Sequence, residues 1–186
     1  MDKYILALCF LLIASPALAQ KRPKSADEVS TGRAAMLQSL KRGKEITAGD
    51  KRYLYLPEVR AIEGKAAGEV IETKGKLLLY RGAATDSAAL RRTSGTIEYP
   101  TVINARTGTL GVLTGVLVVR PRSMADADAI ASAHGLETAK AYPQLQTVFY
   151  KAKEGADIAD ASAALQADSR VEIAYPEIIE HVRVPK

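Results

Sequence analysis

LGVLTGVLVVR, Leu110 to Arg120, is the stretch on which the reading of the fold turns. It is apolar and rich in β-branched valine, so it reads as strand. A Thr-Gly pair, Thr114 and Gly115, interrupts it, and Thr-Gly is a turn signal. Taken as a break, that pair ends a β-rich region at residue 115, and VLVVR from Val116 opens a new domain.

Downstream, the periods change in a regular order. SMADADAIASAHG (Ser123–Gly135) reads as a helix: Ser123 as N-cap, Asp126 and Asp128 in the first turn, His134 in the last, Gly135 as the stop. LETAKAYP and LQTVFYK read as two strands turning at Pro143 and Gln144; Leu145, Thr147 and Phe149 alternate with Gln146, Val148 and Tyr150. EGADIADASAALQADS reads as a second helix with Ile158, Ala161 and Leu165 on one face, and VEIAY as a last strand. The order β-α-β-β-α-β predicts an α+β, ferredoxin-like domain over residues 116–186, with both helices on one face of a four-stranded antiparallel sheet.

Upstream, YLYLP, GEVIE, KLLLYRG and GTIEYPTVINA are short β-rich runs between turn signals, and ARTGTLGVL reads as two strands about Thr107 and Gly108. RAAMLQSLKRGK reads as a short helix facing inward through Met36, Leu37 and Leu40 and ending at Gly43. Residues 33–115 are thus expected to be a short helix plus a small β-rich region, and 20–32 a flexible basic arm. Residues 1–19 have the layout of a signal peptide: Lys3, an apolar run from Tyr4 to Ala14, and small residues at Ala17 and Ala19 before Gln20. That run is shorter than the roughly 20 apolar residues a spanning helix needs, so the expectation is an exported protein, periplasmic or secreted, with no stable membrane insertion.

Composition narrows the chemistry. The single cysteine, Cys9, would leave with the signal peptide, which excludes thiol catalysis and Cys-ligated metals. The net charge of +5 is spread along 186 residues and forms no dense stripe, so nucleic acid is not the expected partner. His134 is best read as a helix-end partner of the dipole, and no second histidine stands at zinc spacing. There is no G-x-S-x-G elbow, and TGTLG lacks the lysine of a phosphate loop. The expectation is a non-enzyme with no metal and no cofactor.

Three segments carry a resemblance: AIASAHGLE, FYKAKEGADIADASAALQADSRVE and VEIAYPEIIE. In that order they resemble the prodomain of subtilisin-like serine proteases and the free-standing inhibitors built on the same domain. The resemblance implies a protein that helps such a protease fold and inhibits it, with its sheet packed on the protease and its C-terminal segment lying product-like in the substrate cleft. It places Arg183, or alternatively Lys186, in the primary specificity pocket, with His181 and Val182 in the preceding subsites and Val184 and Pro185 beyond. Either basic residue implies a protease with an acidic pocket. Glu177 matches a position at which the family caps a protease helix. The competing reading is a non-catalytic module for envelope interaction or assembly.

Overall fold

The computed structural model describes residues 34–181. The predicted signal peptide, basic arm and the residues from Val182 to Lys186 lie outside the described residues. The chain divides into two compact units, 1–36 and 37–186, and the sheet lies wholly in the second.

Ten strands form one antiparallel sheet. They are β1 (Glu45–Ala48), β2 (Lys51–Glu63), β3 (Val70–Lys74), β4 (Leu77–Arg81), β5 (Arg91–Thr93), β6 (Thr96–Asn104), β7 (Leu110–Pro121), β8 (Glu137–Tyr142), β9 (Thr147–Lys151) and β10 (Val171–Ile179). Positions 34–39 make a short helix, α1; α2 is Ala127–Ala133 and α3 is Ile158–Ala167. The main path runs β3-β4-β2-β6-β7-β9-β8, with β1 on β2, β5 on β6 and β10 on β7.

This corrects the expected fold class. The molecule is mostly one large antiparallel sheet with short helices, not a ferredoxin-like two-helix domain preceded by a separate β region. The reason lies in the opening stretch: Leu110 to Pro121 is one strand, and Thr114–Gly115 does not end it. Its first residues pair with β6 (Val112 opposite Thr101) and its later ones with β9 (Val118 opposite Phe149). β10 runs along it on the other side, from Pro121 to Val112. Gly115 is where the strand passes from one neighbour to the next: its φ is +84°, a side chain there would meet Leu90 Cδ1 at 2.4 Å, and its carbonyl accepts from Ala152 N–H. A glycine can mark a bend within a strand as well as a turn between two.

A second tie joins the two halves. Asp157 caps α3, accepting from the N–H groups of Ala159 (2.9 Å) and Asp160 (3.2 Å), and its other oxygen accepts from Ala88 N–H at 3.1 Å. Ile158 N–H in turn donates to Ala88 O. One core therefore runs from Ile46, Tyr55 and Val102 through Leu117 and Val119 to Ile130, Ile158 and Leu165.

Local punctuation otherwise holds with small shifts. Ser123 accepts from Ala125 N–H and starts a 3-10 turn that runs into α2; Gly135, at φ +63°, follows the helix. Leu145 is not in the strand but sits exposed in a 3-10 turn, and β9 begins at Thr147. α1 stops before Gly43, whose N–H donates to Tyr55 O.

Candidate functional site

At the β8-β9-β7-β10 end the two faces of the sheet differ. Leu117, Val119, Val148, Tyr150, Val171 and Ala174 are buried in the same core as Ile130, Ile158 and Leu165 of α2 and α3. The Tyr150 hydroxyl donates to Ala127 O at 2.8 Å, and burial pushes its pKa up to about 12. The residues between them point the other way. Val116 and Val118 of β7, Phe149 of β9, Tyr142 of β8 and Tyr175 of β10 are half-buried, and Ile173 is 42% exposed.

Register lines these residues up. Val118 stands opposite Phe149 on one side and Tyr175 on the other, and Phe149 stands opposite Lys140. Tyr142 meets Phe149 edge to face at 5.6 Å, and Lys140 Nζ lies 4.6 Å from the centre of the Tyr142 ring. Arg120 stands opposite Ile173. With Val118, Thr147 and Tyr175 these two line a shallow depression of about 120 Å³. The result is an apolar, aromatic band across four strands, with Lys140 and Arg120 beside it. Apolar bands of this kind on a sheet face are a common feature of protein-protein contact surfaces.

The C-terminal strand is held more firmly than its proline implied. β10 passes through Pro176 and continues to Ile179, which stands opposite Val112. The ladder shifts register between Pro176 and Ile178, where a missing N–H costs little. Ile178 lies on Gly111 so closely that a Cβ there would be 2.6 Å from its Cγ2. Glu180 is then clamped from three strands. Its carboxylate accepts from Lys51 Nζ (3.1 Å) and Asn104 Nδ2 (2.9 Å), and its carbonyl from the buried Lys74 Nζ (2.7 Å). Burial pushes the Glu180 carboxyl up, but the hydrogen bonds from Asn104 and Lys51 outweigh it and leave the group below its ordinary range.

Of the residues expected to act, Glu177 is half-buried and accepts from the Thr114 hydroxyl at 2.7 Å. His181 is exposed, just past the clamp. Val182, Arg183, Val184, Pro185 and Lys186 lie outside the described residues. The apolar band was not singled out from sequence. Its signal was there in VFY, where Phe149 is apolar on the face that strand alternation assigns to solvent.

His134 is the C-cap residue of α2, and its side chain has a partner besides the helix end. Its Nε2 lies 2.9 Å from Asp168 Oδ2, and Arg170 grips the same carboxylate at 2.6 and 3.0 Å. The cluster ties the residue after α2 to the exit of α3. Hydrogen bonds from Arg170 and from His134 hold the Asp168 carboxyl well below the usual range. Among the described residues no group of histidine, cysteine and acids could hold a metal ion, and no helix is long and apolar enough to cross a membrane.

Comparison with known proteins matches residues 66–184 to the family described as Open reading frame 2 N-terminal domain. The chain belongs to that family. The match is to this family rather than to a subtilisin prodomain. The solved structure titled as a complex of the Aeromonas sobria serine protease (ASP) and the chaperone (ORF2) contains a similar chain: 20% identity, TM-score 0.39, covering 53% of this chain and all of that one. No curated protein matches the chain.

Proposed function

We propose that this protein is an exported companion of a serine protease, acting as its folding chaperone through the apolar band on the open face of the sheet. The band carries the reading. Val116, Val118, Phe149, Ile173 and Tyr175 sit on a platform stiffened from behind by α2 and α3, and burying them on a partner would gain roughly 25 cal/mol for each Å² covered. The family shares its designation, open reading frame 2, with the chaperone in the solved complex.

The finer proposal is that the partner is subtilisin-like and is inhibited as well as assisted. Glu180 fixes the point from which His181–Lys186 depart, so those residues would be presented from a rigid anchor and lose less entropy on entering a cleft. Main-chain pairing there would place Arg183 or Lys186 in an acidic primary pocket, with His181, Val182, Val184 and Pro185 beside it. Glu177, aimed by Thr114, would meet the N-terminus of a protease helix.

The test uses the full chain, Val118→Asp, Phe149→Asp and a form ending at Glu180. Each is added to an unfolded subtilisin-like protease during refolding, and to the same protease already folded. Recovered activity is expected with the full chain and the shortened form, and little with the two aspartate variants. Inhibition is expected to fall on shortening. Equal recovery with every form, or with none, would remove the chaperone reading; undiminished inhibition by the shortened form would remove the role given to His181–Lys186.

A further inference from the structure

We propose that a pocket formed by β2, β4, β5 and β6, away from the apolar band, is a binding site for a small oxyanion held by Arg60, Arg81 and Arg91. The pocket has a volume of about 360 Å³ and is lined by these three arginines, Tyr80, Glu98, Thr85 and small residues that include Gly82 and Ala83. It owes its shape to the bulge in β2. Pro57 has no N–H to give the ladder, pairing shifts between Leu56 and Arg60, and the freed carbonyls of Pro57 and Glu58 accept from Thr85 and Gly82. The loop thus drawn in makes one wall.

Arg60 is the telling residue. It is 2% exposed, and a cation so buried ordinarily faces an anion. Its guanidinium donates instead to Ala89 O at 3.2 Å and to the Thr85 hydroxyl, both neutral. No ion pair joins it to a carboxylate among the described residues. Glu98, the acid in the pocket, accepts from the Tyr80 hydroxyl at 2.6 Å. Burial works against the charge on Arg60, and Arg91 adds to that, while Tyr55 and Glu98 offset it in part. Elsewhere the chain gives buried or half-buried charges close partners, as Asp168 has Arg170 and Lys74 has Glu72.

Arg81 and Arg91 are exposed at the same pocket. Three guanidiniums against one carboxylate leave an excess of two positive charges in the lining. Guanidinium groups bind carboxylate and phosphate oxygens through paired, charge-assisted hydrogen bonds. The occupant is therefore an oxyanion of one or two charges, either inorganic phosphate or a small carboxylate. The pocket stands apart from the protease reading and would survive its failure.

The experiment titrates the full chain with inorganic phosphate and, separately, with succinate. Sodium chloride at matched ionic strength is the control. Heat is measured by calorimetry, and the Arg60 Nε–H resonance is followed by NMR. One-site saturation with either probe, together with a shift of the Arg60 resonance, is the expected result; the tighter probe tells phosphate from carboxylate. Arg81→Gln with Arg91→Gln, both exposed and compatible with folding, should weaken binding about tenfold or more. Arg60→Gln, if folded, should abolish it. No heat beyond the chloride control with both probes would overturn the site. So would binding that the Arg81/Arg91 double variant leaves unchanged.

Discussion

The two ends of the sheet bury their strands differently. In β2, Leu56, Pro57, Val59, Arg60, Ala61 and Ile62 are all buried, so both faces are covered. In β9, Val148 and Tyr150 are buried while Thr147 and Phe149 are only half so. The first pattern belongs to a strand used for stability on both sides. The second belongs to a strand with one face kept for something else. At the C-terminal end that open face is apolar where solvent alone would favour polar residues, and this difference makes it the candidate interface.

The difference depends on β7 serving both ends, and the largest test breaks that strand. Gly115→Ala places a side chain at positive φ and against Leu90. Strain and overpacking together should cost about 3 kcal/mol or more, read as a lower urea midpoint with unchanged slope. A loss under about 1 kcal/mol would mean that the strand bends easily there, and that the two ends are joined less rigidly than the ladder implies.

Asp157→Ala acts on the second tie. It removes the cap of α3 and leaves Ala88 N–H without its carboxylate partner. About 2 kcal/mol is expected, the upper range for a cap, because two elements lose a contact at once. Asp157→Asn should retain part of this through its remaining acceptor oxygen.

Acid should separate the two ends. Burial raises the Asp157 carboxyl, but hydrogen bonds from Asp160 and Ala88 N–H and the charge of Lys44 outweigh it, so its folded pKa is depressed. Asp168 is depressed too, chiefly by Arg170. A depressed folded pKa contributes stability that is complete above the unfolded value, roughly 3.9, and is lost as pH falls through the folded one. These two groups should therefore leave stability flat from neutrality to about pH 5 and erode it below about pH 4. Both lie at the helix-covered end, and the likewise depressed Glu180 holds the end of β10 to Lys51 and Asn104, so amide exchange at low pH should rise first in α2, α3 and β10 and at the Lys51 and Asn104 ends of β2 and β6. Uniform loss across β2 and β6 would count against this.

What was legible in the sequence divides along the same line. Starts and stops set by nearby residues could be read: Ser123 before α2, Gly135 after it, and the alternation in β9. What depends on distant partners could not. Nothing near Gly115 says that Leu90 will lie on it, and nothing near Pro176 says that Lys51, Lys74 and Asn104 will clamp Glu180 four residues later. A glycine that bends a strand and a glycine that ends one look alike in sequence. So do a proline that releases a strand and one that sits at a bulge within it.

The smallest expected effect on stability is the most informative about function. Ile173→Ser changes a residue that is 42% exposed on the open face, opposite Arg120. Because little of its surface is buried by its own chain, the cost to folding should be about 0.5 kcal/mol or less. Leu165→Ala, behind the same sheet and fully buried, should instead cost about 2–5 kcal/mol. If the band docks a partner, Ile173→Ser should weaken that binding far more than it weakens the fold, while Leu165→Ala at a permissive temperature should leave the affinity of the folded fraction nearly unchanged. Denaturant curves and binding titrations on the same two proteins separate these outcomes. If instead Ile173→Ser loses as much stability as Leu165→Ala, the residue belongs to this chain's own core and the open face is not open.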